Sequence, residues 1–74
     1  MHIKVKLFAT LREGRFTEGE REYPVGTTIG HIIQALEMDE KEAALIFVNG
    51  LHAKAGDELH DGDTLAIFPP IGGG

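Results

Sequence analysis

The sequence predicts an α+β domain in which one main helix packs across one face of a four- to five-stranded sheet. Three patterns support this fold class: residues 2–11 alternate between apolar and polar, residues 29–36 have helical apolar spacing, and Asn49-Gly50 separates two short apolar runs. A chain of 74 residues has room for a single domain. We expect residues 1–68 to form that domain and residues 69–74 to form a flexible, extended C-terminal tail.

Residues 2–11 predict the first strand, because aliphatic side chains alternate there with lysines and other side chains. The face expected to be buried consists of Ile3, Val5, Leu7, Ala9 and Leu11. Phe8 is an aromatic on the side otherwise occupied by lysines. A polar loop through Gly19 follows, and residues 20–25 then predict a short, charged second strand that Pro24 limits to a sheet edge or a strand end.

The helix is predicted from four large aliphatic residues at positions i, i+3, i+4 and i+7, which are Ile29, Ile32, Ile33 and Leu36. Thr27 or Thr28 would be its N-cap. Gly30 disfavours the first turn by roughly 1 kcal/mol relative to alanine, so we expect tertiary packing to hold this helix.

Two more strands and a final one complete the predicted sheet. Residues 45–48 form an apolar strand, and the Asn49-Gly50 turn returns the chain along residues 51–53. The last strand covers residues 64–68, where Leu65 and Ile67 share one face and Ala66 and Phe68 share the other. If the first and last strands are central neighbours, the strand patterns leave both parallel and antiparallel pairing open.

Composition excludes several classes of function. The chain has no cysteine and no serine, which removes disulfides, thiolate metal sites and two common nucleophiles. Its net charge of −5, with scattered basic residues, is the wrong sign for nucleic acid. No apolar run approaches the ~18 residues of a membrane span. We therefore expect a cytoplasmic domain that binds neither nucleic acid nor membrane and is not catalytic alone.

The acidic residues between 57 and 63 raise the question of a metal site. Aligned with a calcium-binding EF-hand loop from Asp57, the chain places Leu59 and Phe68 at two ligand positions, so the match fails. The four histidines lack the spacing of zinc ligands and have no cysteine to join them. We interpret the acidic segment as a turn-forming surface and expect no bound metal.

The end of the chain, from Pro69 to Gly74, carries the functional signal. Two prolines favour an extended path away from the sheet, and three glycines could pass through a channel too narrow for any side chain. Six residues of at most ~3.5 Å each reach about 20 Å. The group at the tip is the α-carboxylate of Gly74. An inert, frayed end is the alternative interpretation.

The Gly74 carboxylate can react only after activation. It is ionised at pH 7, since its reference pKa is about 3.5, and an ionised carboxylate is not an acyl donor. It can attack the α-phosphorus of ATP, and a sulfur nucleophile can then displace AMP to leave a thiocarboxylate. The segment from Gly26 to His31 lacks the lysine of a nucleotide-binding P-loop, and the only sulfur is in two methionines. We expect no cofactor bound to the chain itself, with ATP and sulfur handled by partners.

Two stretches resemble a known family. Residues 6–13, KLFATLRE, are similar to the first-strand signature of the MoaD/ThiS group of ubiquitin-like sulfur carriers. Residues 61–74, DGDTLAIFPPIGGG, resemble the ending of that group: an acidic glycine turn, an apolar strand, a double proline, an aliphatic, a small residue and a terminal diglycine. Within the group, the likeness is greatest to the small subunit of molybdopterin synthase.

The resemblance implies a ubiquitin-like β-grasp fold with a mixed sheet, and two kinds of partner. The first is a ubiquitin-activating-type adenylyltransferase (MoeB/ThiF-like), which uses ATP. The second is the molybdopterin synthase large subunit (MoaE-like), where sulfur passes to precursor Z, or a ThiG-like acceptor in thiamine synthesis. A carrier for another sulfur pathway, a modifier that joins Gly74 to protein lysines and a passive interaction domain are the alternatives.

The resemblance also assigns site residues. Gly74 would be adenylated and then carry the thiocarboxylate, with Gly73 beside it. Phe8 and Phe68 would form the apolar partner surface, and Arg12 would contact the activating enzyme. The other residues expected to bind partners are those of the tail: Pro69, Pro70, Ile71 and Gly72. From the strand pattern alone, Phe8 and Phe68 could also be ordinary packed residues, but both lie on the face opposite the aliphatic set.

Overall fold

The computed structural model describes residues 1–70, which form a five-stranded sheet, one α-helix and one short 3-10 helix. The strands are β1 (His2–Leu7), β2 (Glu18–Glu22), β3 (Leu45–Val48), β4 (Leu51–His52) and β5 (Thr64–Phe68). The α-helix, α1, spans Ile29–Ala35, and the 3-10 helix spans Ala9–Arg12. The α+β class predicted from the sequence is confirmed.

The strand order in the sheet is β2-β1-β5-β3-β4. The two central strands, β1 and β5, run parallel, while β1 with β2, β5 with β3 and β3 with β4 are antiparallel pairs. The sheet is therefore mixed, with a hairpin at each side and the first and last strands adjacent at its centre. This arrangement confirms the β-grasp expectation and settles the direction of the central pair, which the strand patterns had left open.

The core lies between the sheet and α1. Ile3, Val5 and Leu7 of β1 and Leu65 and Ile67 of β5 are all 0% exposed, as the alternating pattern predicts. They form one cluster with the buried face of the helix, which is Ile29, Ile32 and Ile33. The opposite face of the sheet carries no helix in the described part of the chain. We call it the open face.

Thr28 is the N-cap of α1. Its side-chain oxygen accepts a hydrogen bond from the His31 N–H, and its own N–H donates to Nδ1 of His31, which completes a capping box. Gly30 has a packing role as well as a low helix propensity. Its N–H donates to the Ala55 carbonyl at 2.7 Å, and a Cβ at this position would lie 3.2 Å from that oxygen.

Two predicted strand boundaries are wrong. The first strand ends at Leu7 rather than at residue 11, because Ala9 adopts a φ of 52° and the chain turns into the 3-10 helix. Ala9 is consequently exposed, whereas Leu11 reaches the core from that helix. The second strand is Glu18–Glu22 rather than residues 20–25, since its pairing with β1 begins where Lys6 meets Glu18. The loop predicted through Gly19 is correspondingly shorter.

The acidic segment forms turns, as expected. Carboxylates of Asp57, Asp61 and Asp63 accept hydrogen bonds from the N–H groups of Lys54, His2 and His60. Among residues 1–70, no three histidine, aspartate or glutamate side chains lie close enough together to hold a metal ion. Over the same residues, no helix is long and apolar enough to cross a membrane.

Candidate functional site

The tail leaves the body at the end of the central strand β5. On one side, the Phe8 N–H donates to the Ile67 carbonyl at 3.2 Å; on the other, the Ala44 N–H donates to the Phe68 carbonyl at 3.0 Å. The next two residues are prolines, which have no N–H to donate. Strand pairing therefore stops at Phe68, with Pro69 half-buried and Pro70 exposed.

A shallow groove of about 200 Å³ adjoins the two prolines, and Arg15 lies in its wall. The Arg15 guanidinium donates to the carbonyls of Leu11, Leu36 and Glu37. It also lies 3.7 Å from the Glu42 carboxylate. These contacts join the 3-10 helix to the end of α1, so the surface beside the tail has a fixed position relative to the body.

Three phenylalanines form a continuous aromatic cluster on the open face, beside the exit of the tail. The rings of Phe8 and Phe68 stack with centroids 4.1 Å apart and an interplanar angle of 10°. Phe47 meets Phe68 edge to face, with centroids 5.7 Å apart and planes at 90°. All three side chains are half-buried. We call these three residues the aromatic patch.

Strand register explains why the aromatic patch forms. Phe68 lies opposite Leu45 on β3, and Phe47 lies opposite Ala66 on β5. These four residues alternate with the buried Ile46, Leu65 and Ile67 and so face away from the helix. Phe8 precedes the 3-10 helix and completes the cluster from the β1 side. A cluster of aromatic rings that is only half covered by its own chain is typical of a protein-binding surface.

Arg12 borders the aromatic patch at the end of the 3-10 helix. Its Nε donates to the Leu7 carbonyl at 2.9 Å, and its Cζ lies 5.6 Å from the centroid of the Phe8 ring. This is the distance of a cation–π contact. Arg12 is exposed, and within residues 1–70 no carboxylate forms an ion pair with it. Its positive charge therefore lies in solvent next to the aromatic rings.

The structure brings five of the predicted site residues together at one end of the domain. Phe8, Phe68, Arg12, Pro69 and Pro70 all lie within one surface at the exit of the tail. The other four predicted positions, which are Ile71, Gly72, Gly73 and Gly74, lie outside the described residues.

Phe47 is a member of the aromatic patch that the sequence analysis did not single out. Its strand, Leu45–Val48, is apolar at every position, so the pattern gives no preference for one face. The Asn49-Gly50 turn offered a usable signal. It pairs Phe47 with His52, and a polar partner at a cross-strand position indicates the solvent-facing side.

The Tyr23 hydroxyl has a raised pKa and lies away from the tail. Burial raises the pKa of the Tyr23 hydroxyl above its ordinary value, an effect that nearby Arg21 opposes. Tyr23 pairs with Met1 at the far end of β1, where its carbonyl accepts from the N-terminal ammonium at 2.7 Å. The surface at the tail exit consists of aromatic rings and the Arg12 guanidinium.

Comparison with known proteins gives a consistent result. The model of the ThiS family matches residues 5–74. Small archaeal modifier protein 1 of Haloferax volcanii is 27% identical, with a TM-score of 0.78 and coverage of 95% of this chain and 98% of that one. A candidate molybdopterin converting factor subunit 1 from Pyrococcus furiosus is 31% identical, with a TM-score of 0.73 and coverage of 96% and 99%.

A third structure shares the fold at lower identity. It is a complex of subunits 1 and 2 of the molybdopterin-converting factor from Helicobacter pylori. The matched chain is 22% identical over the full length of both chains, with a TM-score of 0.66.

Proposed function

This chain belongs to the ThiS family, and on that premise we propose that it is a sulfur carrier whose Gly74 carboxylate becomes a thiocarboxylate. The observation that carries the proposal is the exit of the tail. A central strand ends in two prolines beside the half-buried aromatic patch and the exposed Arg12. A partner that covers this surface would also meet the point at which the tail leaves the body.

The chemistry requires two steps, both on partner enzymes. First, a carboxylate oxygen of Gly74 attacks the α-phosphorus of ATP, the bond from that phosphorus to pyrophosphate breaks, and the acyl-adenylate of Gly74 is formed. Hydrosulfide, held at the partner, then attacks the acyl carbon; AMP leaves with one of the original carboxylate oxygens, a proton is released, and the thiocarboxylate remains on Gly74. We assign the first step to a ubiquitin-activating-type adenylyltransferase that contacts Arg12.

We further propose that the sulfur is used in molybdopterin synthesis, with a MoaE-like large subunit as the acceptor. The likeness to the Pyrococcus furiosus protein supports this pathway, because that protein is described as a candidate molybdopterin converting factor subunit. The Helicobacter pylori complex of subunits 1 and 2 of that factor contains a chain with the fold of this one, which supports a second subunit as the partner. Thiamine synthesis, with a ThiG-like acceptor, remains an alternative within the same carrier chemistry.

A second candidate function is protein modification through Gly74. It is favoured by the likeness to small archaeal modifier protein 1, at 27% identity over nearly the full length. Activation would be the same, and the acyl group would pass to a lysine amine instead of exchanging oxygen for sulfur. The two functions therefore differ in the product and not in the first step.

Intact mass spectrometry tests the proposal. The chain is incubated with the adenylyltransferase of the same genome, ATP and a sulfide donor. We expect its mass to rise by the difference between one sulfur and one oxygen atom. The matched control omits ATP and should show no change. Isopeptide adducts of the chain, without the thiocarboxylate, would favour the modifier function, and an unchanged mass with an active partner would contradict both.

A further inference from the structure

A continuous row of residues crosses the open face next to the aromatic patch. Lys6 of β1 pairs with Ala66 of β5, Ala66 pairs with Phe47 of β3, and Phe47 pairs with His52 of β4. Residues opposite each other in neighbouring strands share a face, so these four side chains lie side by side. The contact of Phe47 with His52, edge to face at 5.7 Å, agrees with this register. Lys6 is thus separated from Phe47 by one small residue.

The charge at this row differs from that of the whole chain. The chain carries a net charge of −5, yet two cations, Lys6 and Arg12, border the aromatic patch. Arg12 borders it at Phe8, and Lys6 borders it at Ala66. A partner surface that covers the aromatic patch must therefore accommodate a positive charge on the β1 side as well as at the 3-10 helix.

The intramolecular partner of Lys6 holds it weakly. Its Nζ lies 4.0 Å from Oε1 of Glu18, and the side chains of both are about half exposed. The same carboxylate lies 3.9 Å from Nζ of Lys4. Two ammonium groups thus share one carboxylate at the outer limit of an ion pair, an arrangement that contributes little to stability. One of the two lysines can therefore pair with a carboxylate of another protein with little loss of folding stability.

We propose that Lys6 is a specificity-determining residue for the acceptor of the carrier, selecting a protein whose apolar contact surface is bordered by a carboxylate. The inference rests on the proposed function, because it takes the acceptor to be the molybdopterin synthase large subunit. Lys6 pairs with that carboxylate at the edge of the interface, while the aromatic patch supplies the apolar centre. Charge pairs at such an edge govern partner choice and the rate of encounter.

Lys4 provides a matched control. It lies on the same strand and the same open face, carries the same charge and shares the same Glu18 carboxylate. Its partner on β5 is Thr64, one row farther from the aromatic patch than Ala66. Lys6→Glu and Lys4→Glu change the net charge equally and remove equivalent ion pairs, so their effects on folding should be similar. They differ in distance from the patch.

The experiment measures the Kd of the chain for the synthase large subunit of the same genome, at low and high salt. At low salt, we expect Lys6→Glu to weaken binding at least tenfold, because like charges across an interface repel each other, and Lys4→Glu to weaken it less than about twofold. Added salt should narrow the difference. Lys6→Arg, which keeps the positive charge, should retain most of the affinity of the wild-type chain.

Each result has a distinct meaning. Equal effects of Lys6→Glu and Lys4→Glu on the Kd would overturn the role of Lys6. Failure of the wild-type chain to bind the large subunit would overturn it as well. Thiocarboxylate formation is measured on the same samples by intact mass. If the wild-type chain forms no thiocarboxylate, the proposed function is contradicted instead, whatever the binding data show. Circular dichroism melting confirms that both glutamate variants are folded.

Discussion

The two faces of the sheet differ in how deeply their side chains are buried. On the helix-covered face, Val5, Leu65 and Ile67 are completely buried and pack with α1. On the open face, the intervening residues of the same strands are half-buried, and they include Ala66 and Phe68. A single strand, β5, thus places one residue in the core and the next on the surface that we assign to partners.

The comparison separates folding from binding. The buried face removes apolar side chains from water, which is the main source of folding free energy. The open face leaves aromatic rings partly in water, where a partner can complete their burial. Substitutions on the first face should therefore change stability, and substitutions on the second should change association.

The largest expected effect on stability belongs to Ile67→Ala. Ile67 is 0% exposed at the centre of the core, so truncation loses its burial and leaves a cavity. The expected cost is about 2–5 kcal/mol of the free energy of unfolding, measured by urea denaturation. Ile67→Val, which removes a single methylene, should cost only about 0.5–1.5 kcal/mol. A cost for Ile67→Ala no larger than that for Phe47→Ala would contradict the division between the two faces.

Phe47→Ala should have a smaller effect on folding and a clear effect on binding. Phe47 belongs to the aromatic patch on the open face, where its ring contacts Phe68 on one side and His52 on the other. We expect its truncation to weaken association with the synthase large subunit by about 1–3 kcal/mol, measured by isothermal titration calorimetry. The loss of unfolding free energy should be less than for Ile67→Ala, since the side chain is only half-buried.

Leu51→Ala is the control for Phe47→Ala. Leu51 is also apolar and is 74% exposed. It lies on the outer strand β4, where it pairs with Val48 of β3, and it is not part of the aromatic patch. Its removal should leave binding within about twofold of the original value, because residues outside the central contact contribute little. If the two variants weaken binding equally, exposure of apolar area would explain the data and the aromatic patch would have no special role.

Much of the fold follows from apolar spacing in the sequence. The helix, the last strand and the Asn49-Gly50 turn are confirmed. Ile29, Ile32 and Ile33 form the buried face of the helix as predicted, whereas Leu36 lies just after its last residue and is partly buried. The first strand was predicted too long because alternation alone does not reveal a turn at Ala9, whose φ of 52° is unusual for a residue other than glycine. Leu11 fits the alternation of a strand, but it reaches the core from the 3-10 helix that follows β1.

The proposed partner surface was predictable only in part. Phe8, Phe68 and Arg12 could be named from a family resemblance, and the structure places them together. Phe47 and the position of Lys6 depend on how β1, β5 and β3 are paired, which is a long-range property that a local pattern does not contain. Thus the contact surface required the fold, whereas the chemistry proposed for Gly74 follows from the end of the sequence.

The central claim is that the terminal carboxylate of Gly74 is the reactive group and that the folded body positions it. The most direct test adds one residue, such as glutamine, after Gly74 and measures both thiocarboxylate formation and binding to the large subunit. We predict unchanged melting, retained binding through the aromatic patch, and no gain of sulfur by intact mass. A gain of sulfur on the extended chain, with the added residue still present, would contradict the claim.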